Sequence, residues 1–157
     1  MGGGAGGEAD PPLAWFVRTA YAWLAVSGLL AAFEAALTLL GGGAGALADA
    51  GRHALLFGYL GLLTAGLSGR LPTAFLDIGD AGVRASRHAY RAAYWLLLVS
   101  TICRVAAPLA GSLRTGALVL AGSAGAVGLC CLLVALTQVF RFTWRATRHA
   151  PPRLQRA

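Results

Sequence analysis

Residues 48–72 read ADAGRHALLFGYLGLLTAGLSGRLP. Asp49, Arg52 and His53 stand at the head of this stretch, and no charge follows until Arg70. An apolar run of this length, closed by an arginine, is the pattern of a helix built to lie in lipid. The histidine at its head either anchors the helix at the interface or holds something.

The surrounding sequence has the same character. The 157-residue chain is 57% hydrophobic and only 12% charged, against roughly 25% charged residues in soluble proteins. Mean hydropathy is +0.66. The apolar residues fall into four blocks, about 13–40, 46–68, 92–110 and 115–142. Each is long enough to cover a hydrocarbon core of ~30 Å, which takes about 20 helical residues. The expected fold class is all-α: a polytopic membrane protein with a four-transmembrane-helix bundle over residues 13–145. Before it, residues 1–12 (MGGGAGGEADPP) read as a flexible segment, and after it residues 146–157 read as a basic, disordered tail. The first segment has neither the positive start nor the apolar stretch of a signal peptide, and Gly6 breaks the myristoylation pattern. The polar stretch 69–91 suits a short interfacial helix.

Net charge is +7, and every one of the 13 basic residues is an arginine. They lie between apolar blocks, which points to orientation in a bilayer and away from nucleic acid. With four spans, one side collects Arg18, Arg70, Arg84, Arg87, Arg91, Arg141, Arg145, Arg148, Arg153 and Arg156; the other holds Arg52, Arg104 and Arg114. This bias places both termini in the cytoplasm of a multi-pass inner-membrane protein. Trp15, Trp23, Tyr90, Tyr94, Trp95 and Trp144 fit an aromatic belt near that face. Gly58, Gly61 and Gly66 in the second block, and Gly122, Gly125 and Gly128 in the fourth, favour close helix contacts. Cys103, Cys130 and Cys131 all fall in apolar blocks without metal or redox spacing, and read as packing residues.

Three of the ionisable residues within the spans share a depth. Glu34, His53 and Arg104 each lie about two helical turns from the non-cytoplasmic rim, ~8–11 Å deep at the α-helical rise. Charges at such depth are costly unless paired. Glu34 and Arg104 can therefore face inward together beside His53, or Arg104 can snorkel to the headgroups. His53 itself has three readings: an interfacial anchor, a proton-handling group, or an axial haem ligand, with Arg52 and Arg104 suited to the propionates. His88 and His149 sit in polar, basic segments. The run RASRHAYR (84–91) is a basic face suited to solvent or anionic lipid.

Three stretches resemble the C-terminal spans of the NnrS family, bacterial membrane proteins that carry haem and copper and are linked to nitric-oxide stress. They are WFVRTAYAWL (15–24), RHALLFGYLGLLTAGLSGRLP (52–72) and LLLVSTICRVAAPL (96–109). The resemblance puts His53 on the family's H-A-L histidine and Arg104 on its R-V-x-A-P-L arginine. It implies haem b at His53, which is also the implied metal ligand, with Arg104 as polar partner and a role in nitric-oxide or haem biology. Glu34 and Arg52 join this cofactor-binding set on the depth and charge arguments. The family's other histidine-bearing helices have no counterpart here. Copper is disfavoured, since the spans hold no second histidine and Met1 is the sole methionine. One histidine at the outer level also implies a homo-oligomer or a partner membrane subunit.

The resulting expectation is an NnrS-like membrane protein that binds haem and is more a binder or sensor than an enzyme. The alternatives are a cofactor-free accessory or structural subunit, and a small proton-coupled transporter using Glu34, His53 and Arg104. Orientation is directly testable. Green fluorescent protein fused after Ala157 is expected to fluoresce, and alkaline phosphatase inserted after Gly43 to be active; the reverse pattern would refute the cytoplasmic placement of the termini.

Overall fold

The computed structural model describes residues 11–43, 45–68 and 86–148, all of them helix or short connection, with no strand among them. Helix α1 spans Pro11–Leu39. The second run begins as α2, Gly45–His53, continues as a π-helical segment, Ala54–Gly61, and ends as α3, Leu62–Ser68. Helix α4, Arg87–Ala106, passes into a 3-10 turn, Ala107–Leu109, and a second such turn, Gly111–Leu113, leads into α5, Arg114–Arg148. The expected interfacial helix lies mostly outside the described residues, as do residues 1–10 and 149–157. Helix α1 starts two residues earlier than the first apolar block, and α5 carries three residues assigned above to the tail.

Among the described residues, three helical stretches are long and apolar enough to cross a membrane: Ala14–Leu39, Arg87–Leu109 and Gly111–Phe142. The second apolar block is helical as well, but in three pieces, and its head carries Asp49, Arg52 and His53. Leu29, Phe33, Val119, Leu133 and Phe140 stand exposed on the outer faces. So much uncovered apolar surface is what lipid or a partner covers.

Tight turns set the path. Helix α1 ends in a left-handed glycine, Gly41, with φ of 78°. The Gly42 N–H reaches back to the Leu37 carbonyl at 2.9 Å, the closure of a Schellman-type cap. Gly111, with φ of 53°, turns the chain between α4 and α5.

The interior gathers where the start of α1, the end of α3, the start of α4 and the end of α5 meet. Phe16, Ala20, Leu62, Ala65, Tyr90, Ala93, Tyr94, Ala135 and Val139 form one buried cluster. On α4 the inward residues Tyr90, Tyr94, Leu97 and Thr101 step by three or four, one face of a helix. Phe16 meets the Tyr94 ring edge-on at 5.2 Å, and the Thr19 and Tyr94 hydroxyls share a hydrogen bond of 2.7 Å. This alters the expected aromatic belt. Tyr90 and Tyr94 are buried in the core, because their face of α4 is the one packed on α1, while Trp95 and Trp144 remain exposed. Trp15 packs at the edge of the core with the Arg91 guanidinium 5.8 Å above its ring.

Small residues set the helix spacing. A Cβ on Gly128 would stand 3.1–3.2 Å from Leu96, Leu97 and the Leu97 backbone nitrogen, and one on Gly125 only 2.8 Å from Ser100 Oγ. Ser100 in turn donates to the Ala121 carbonyl at 2.8 Å, tying α4 to α5. The tightest approach is at Gly58, where a Cβ would fall 2.5 Å from Trp23 Cγ. Gly58→Ala is therefore expected to lose roughly 1–3 kcal/mol, the usual penalty for overpacking, read as a lower unfolding midpoint in detergent. Gly122 faces open space, so Gly122→Ala should not destabilise; equal losses in the two variants would refute the Trp23 contact.

Candidate functional site

At the end of the helices away from the aromatic core lies a pocket of about 250 Å³. Its walls are Asp49 and His53 from α2, Arg104 from α4, Ala107 and Pro108 from the following turn, and Arg114 and Leu118 from α5. Helical spacing explains the set. Asp49 and His53 are four residues apart and share one side of α2. Arg104 continues the inward series Tyr90, Tyr94, Leu97, Thr101 by a further three residues. The reversal at Gly111 then brings Arg114, the first residue of α5, back to the same rim.

His53 is oriented by its own helix. Its Nδ1 lies 2.7 Å from the Asp49 carbonyl oxygen and 3.5 Å from Asp49 Oδ1. A carbonyl can only accept, so Nδ1 carries the proton and donates; the neutral ring then keeps its lone pair on Nε2. Among the described residues Nε2 has no hydrogen-bond partner. The His53 side chain is 16% exposed, and the ring stacks on Phe57 one turn later, with centroids 5.7 Å apart and planes 17° from parallel.

The other residues singled out from sequence are placed differently. Arg52 is exposed, and its Nε donates to the Ala48 carbonyl at 3.3 Å. Glu34, half-buried on α1, lies outside the pocket lining. Among the described residues it forms no ion pair with Arg104 or with any other group; its backbone carbonyl accepts from Thr38 Oγ1 at 2.9 Å. Depth alone brought Glu34 and Arg104 to one level, but the rotation of α4 turns Arg104 toward α2 and α5. Two pocket residues were not singled out from sequence. Asp49 showed only as the residue four before His53, and Arg114 only as a third basic residue on the less basic side.

A second, larger groove of about 600 Å³ runs beside the π-helical segment and α3, against α4 and α5. Leu60, Leu97, Leu129, Leu132 and Leu136 give it an apolar lining. Its Ser100 and Thr101 hydroxyls donate to the Ala121 and Leu97 carbonyls. Phe57 lines this groove and stacks on His53, so one aromatic ring separates the imidazole from the apolar space. The described residues hold no cluster of three or more histidine, cysteine or acidic side chains suited to a metal ion. Cys103, Cys130 and Cys131 are free thiols.

Fold and site together define an all-helical protein with helices able to cross a membrane and a basic, histidine-containing pocket at one end. Compared with protein-family models, curated proteins and solved structures, the chain matches none. The imidazole geometry has its own test. Nitrogen-15 shifts at alkaline pH are expected to show the Nδ1–H tautomer of His53 in the wild type and in Asp49→Asn, which keeps the carbonyl acceptor. An Nε2–H tautomer would refute the hydrogen bond.

Proposed function

We propose that this chain is a four-span inner-membrane protein, resembling the NnrS family, that binds haem b through His53. The four runs α1, α2–α3, α4 and α5 are its spans, with both termini in the cytoplasm. Its role is in nitric-oxide or haem biology, as a binder or sensor rather than an enzyme. The observation that carries the reading is the imidazole: Nδ1 is tied to a backbone carbonyl, and Nε2 has no hydrogen-bond partner among the described residues. Metal-ligating histidines characteristically donate their second ring N–H in this way, which fixes tautomer and orientation.

The residues fit the group in part. An oriented nitrogen donor and two guanidiniums, Arg104 and Arg114, line one pocket, and guanidinium forks suit carboxylates. The pocket volume, about 250 Å³, is below the roughly 300–1,000 Å³ usual for pockets holding drug-sized ligands. It would take one edge of the macrocycle. A second copy of the chain or a partner subunit would cover the rest, consistent with one intramembrane histidine per chain. His53 would hold the haem, Arg104 and Arg114 would meet its carboxylates, and the bound group would supply the chemistry for a diatomic ligand such as nitric oxide. Arg52 and Glu34, which lie outside the pocket lining, have no part in this reading.

The test is the visible spectrum of protein purified in mild detergent from haem-replete cells, oxidised and reduced. A Soret band is expected that collapses in His53→Ala and persists in Asp49→Asn. A colourless, well-folded wild type, unchanged by added haem, would overturn the proposal. A cofactor-free accessory subunit or a proton-coupled transporter would then stand in front, and proton flux in liposomes separates those two.

A further inference from the structure

In the haem-free chain, where no haem carboxylate meets its two guanidiniums, the rim pocket carries a charge imbalance. Arg104 and Arg114 both line it. Among the described residues neither guanidinium has a hydrogen bond or an ion pair. The one acid in the lining, Asp49, lies instead against the His53 ring, 3.5 Å from Nδ1. Apart from His53, the lining holds two positive charges and one negative.

Helix ends sharpen the imbalance. Arg104 lies in the last turn of α4, where the helix dipole favours a cation. Arg114 is the first residue of α5, a helix of 35 residues, where the dipole is positive and disfavours one. The chain thus brings a cation to a helix end that prefers an anion, beside a second cation, in a mostly polar pocket that Ala107, Pro108 and Leu118 complete. Arg104 is half-buried and Arg114 exposed, so both guanidiniums are open to an anion from solvent. Among the described residues no acid pairs with either guanidinium, which leaves both able to bind an anion.

We propose that this pocket is a binding site for one phosphate group, held between the guanidiniums of Arg104 and Arg114 at the start of α5. Guanidinium forks match phosphate oxygens bidentately; the Arg114 N–H is donated to the Gly111 carbonyl, so the side chains supply the contacts. A phosphodiester carries one negative charge and balances the lining as it stands. The same chemistry is offered by a phospholipid headgroup, since the pocket lies at the end of the membrane-length stretches Arg87–Leu109 and Gly111–Phe142, and by free phosphate. The inference does not rest on haem binding: it uses the two arginines and leaves His53 Nε2 unassigned.

The experiment is thermal unfolding of the haem-free full chain in a neutral maltoside detergent at constant ionic strength. One arm adds inorganic phosphate against chloride; the other adds phosphatidylglycerol against phosphatidylcholine. The variants are Arg104→Gln, Arg114→Gln and, as a control exposed near the far end of α5, Arg141→Gln. A rise of several degrees is expected in the wild type and in Arg141→Gln, falling by at least half in each pocket variant. A rise with phosphatidylglycerol alone assigns a lipid headgroup, and a rise with phosphate assigns a free anion. No rise in either arm, or an equal rise in all variants, overturns the site. Should Arg104→Gln fail to fold, Arg114→Gln, at an exposed position, carries the test, with native mass spectrometry counting retained phosphatidylglycerol. A Soret band dependent on His53 survives failure here, and a colourless protein leaves the phosphate result standing.

Discussion

Close approach of backbones is the constraint on which the rest of the structure depends. Helices in lipid gain little from burying apolar side chains against one another, because the lipid is equally apolar. Association then relies on tight van der Waals contact, which small residues permit. Gly58 lets the π-helical segment come up against Trp23, and Gly125 and Gly128 let α5 come up against Ser100 and Leu97. These contacts fix the π-helical segment on α1 and α5 on α4. The rim pocket draws its walls from α2, α4 and α5, so its shape follows from those glycines.

Polar groups within the helices are mostly handled locally. Thr38, Thr101, Ser123 and Thr137 donate to carbonyls one turn back in their own helices, and His53 does the same with Nδ1. A side chain satisfied this way presents little to a ligand. In the rim pocket the guanidiniums of Arg104 and Arg114 and the Nε2 of His53 are not satisfied among the described residues. That contrast, more than depth in the bilayer, makes this end of the bundle the place where chemistry is possible. The larger groove shows the opposite case, since its Ser100 and Thr101 hydroxyls are both donated to carbonyls.

The π-helical segment is the feature least legible in the sequence. Residues 54–61 read as ordinary apolar helix, and their glycines as contact points. The chain widens its turn from the residue after His53, and Phe57 within that turn stacks on the imidazole while lining the apolar groove. π-helical turns interrupt the regular ladder and occur often at functional sites. No residue type announces one; here the segment brings Gly58 against Trp23.

Sequence alone determined the helical character, the four apolar blocks and the two-ended charge distribution, because block length and arginine placement are one-dimensional properties. It also brought His53 and Arg104 to one level, since depth is a count of residues along a helix. Rotation about each helix axis is not such a count. It is set by which small residues meet which neighbours. Packing therefore decided that Tyr90 and Tyr94 enter the core instead of the interface, that Glu34 stays outside the pocket, and that Arg114 joins Arg104 across the turn at Gly111. The site belongs to the tertiary structure because it is assembled by rotation and by a turn, the two quantities that hydropathy does not encode.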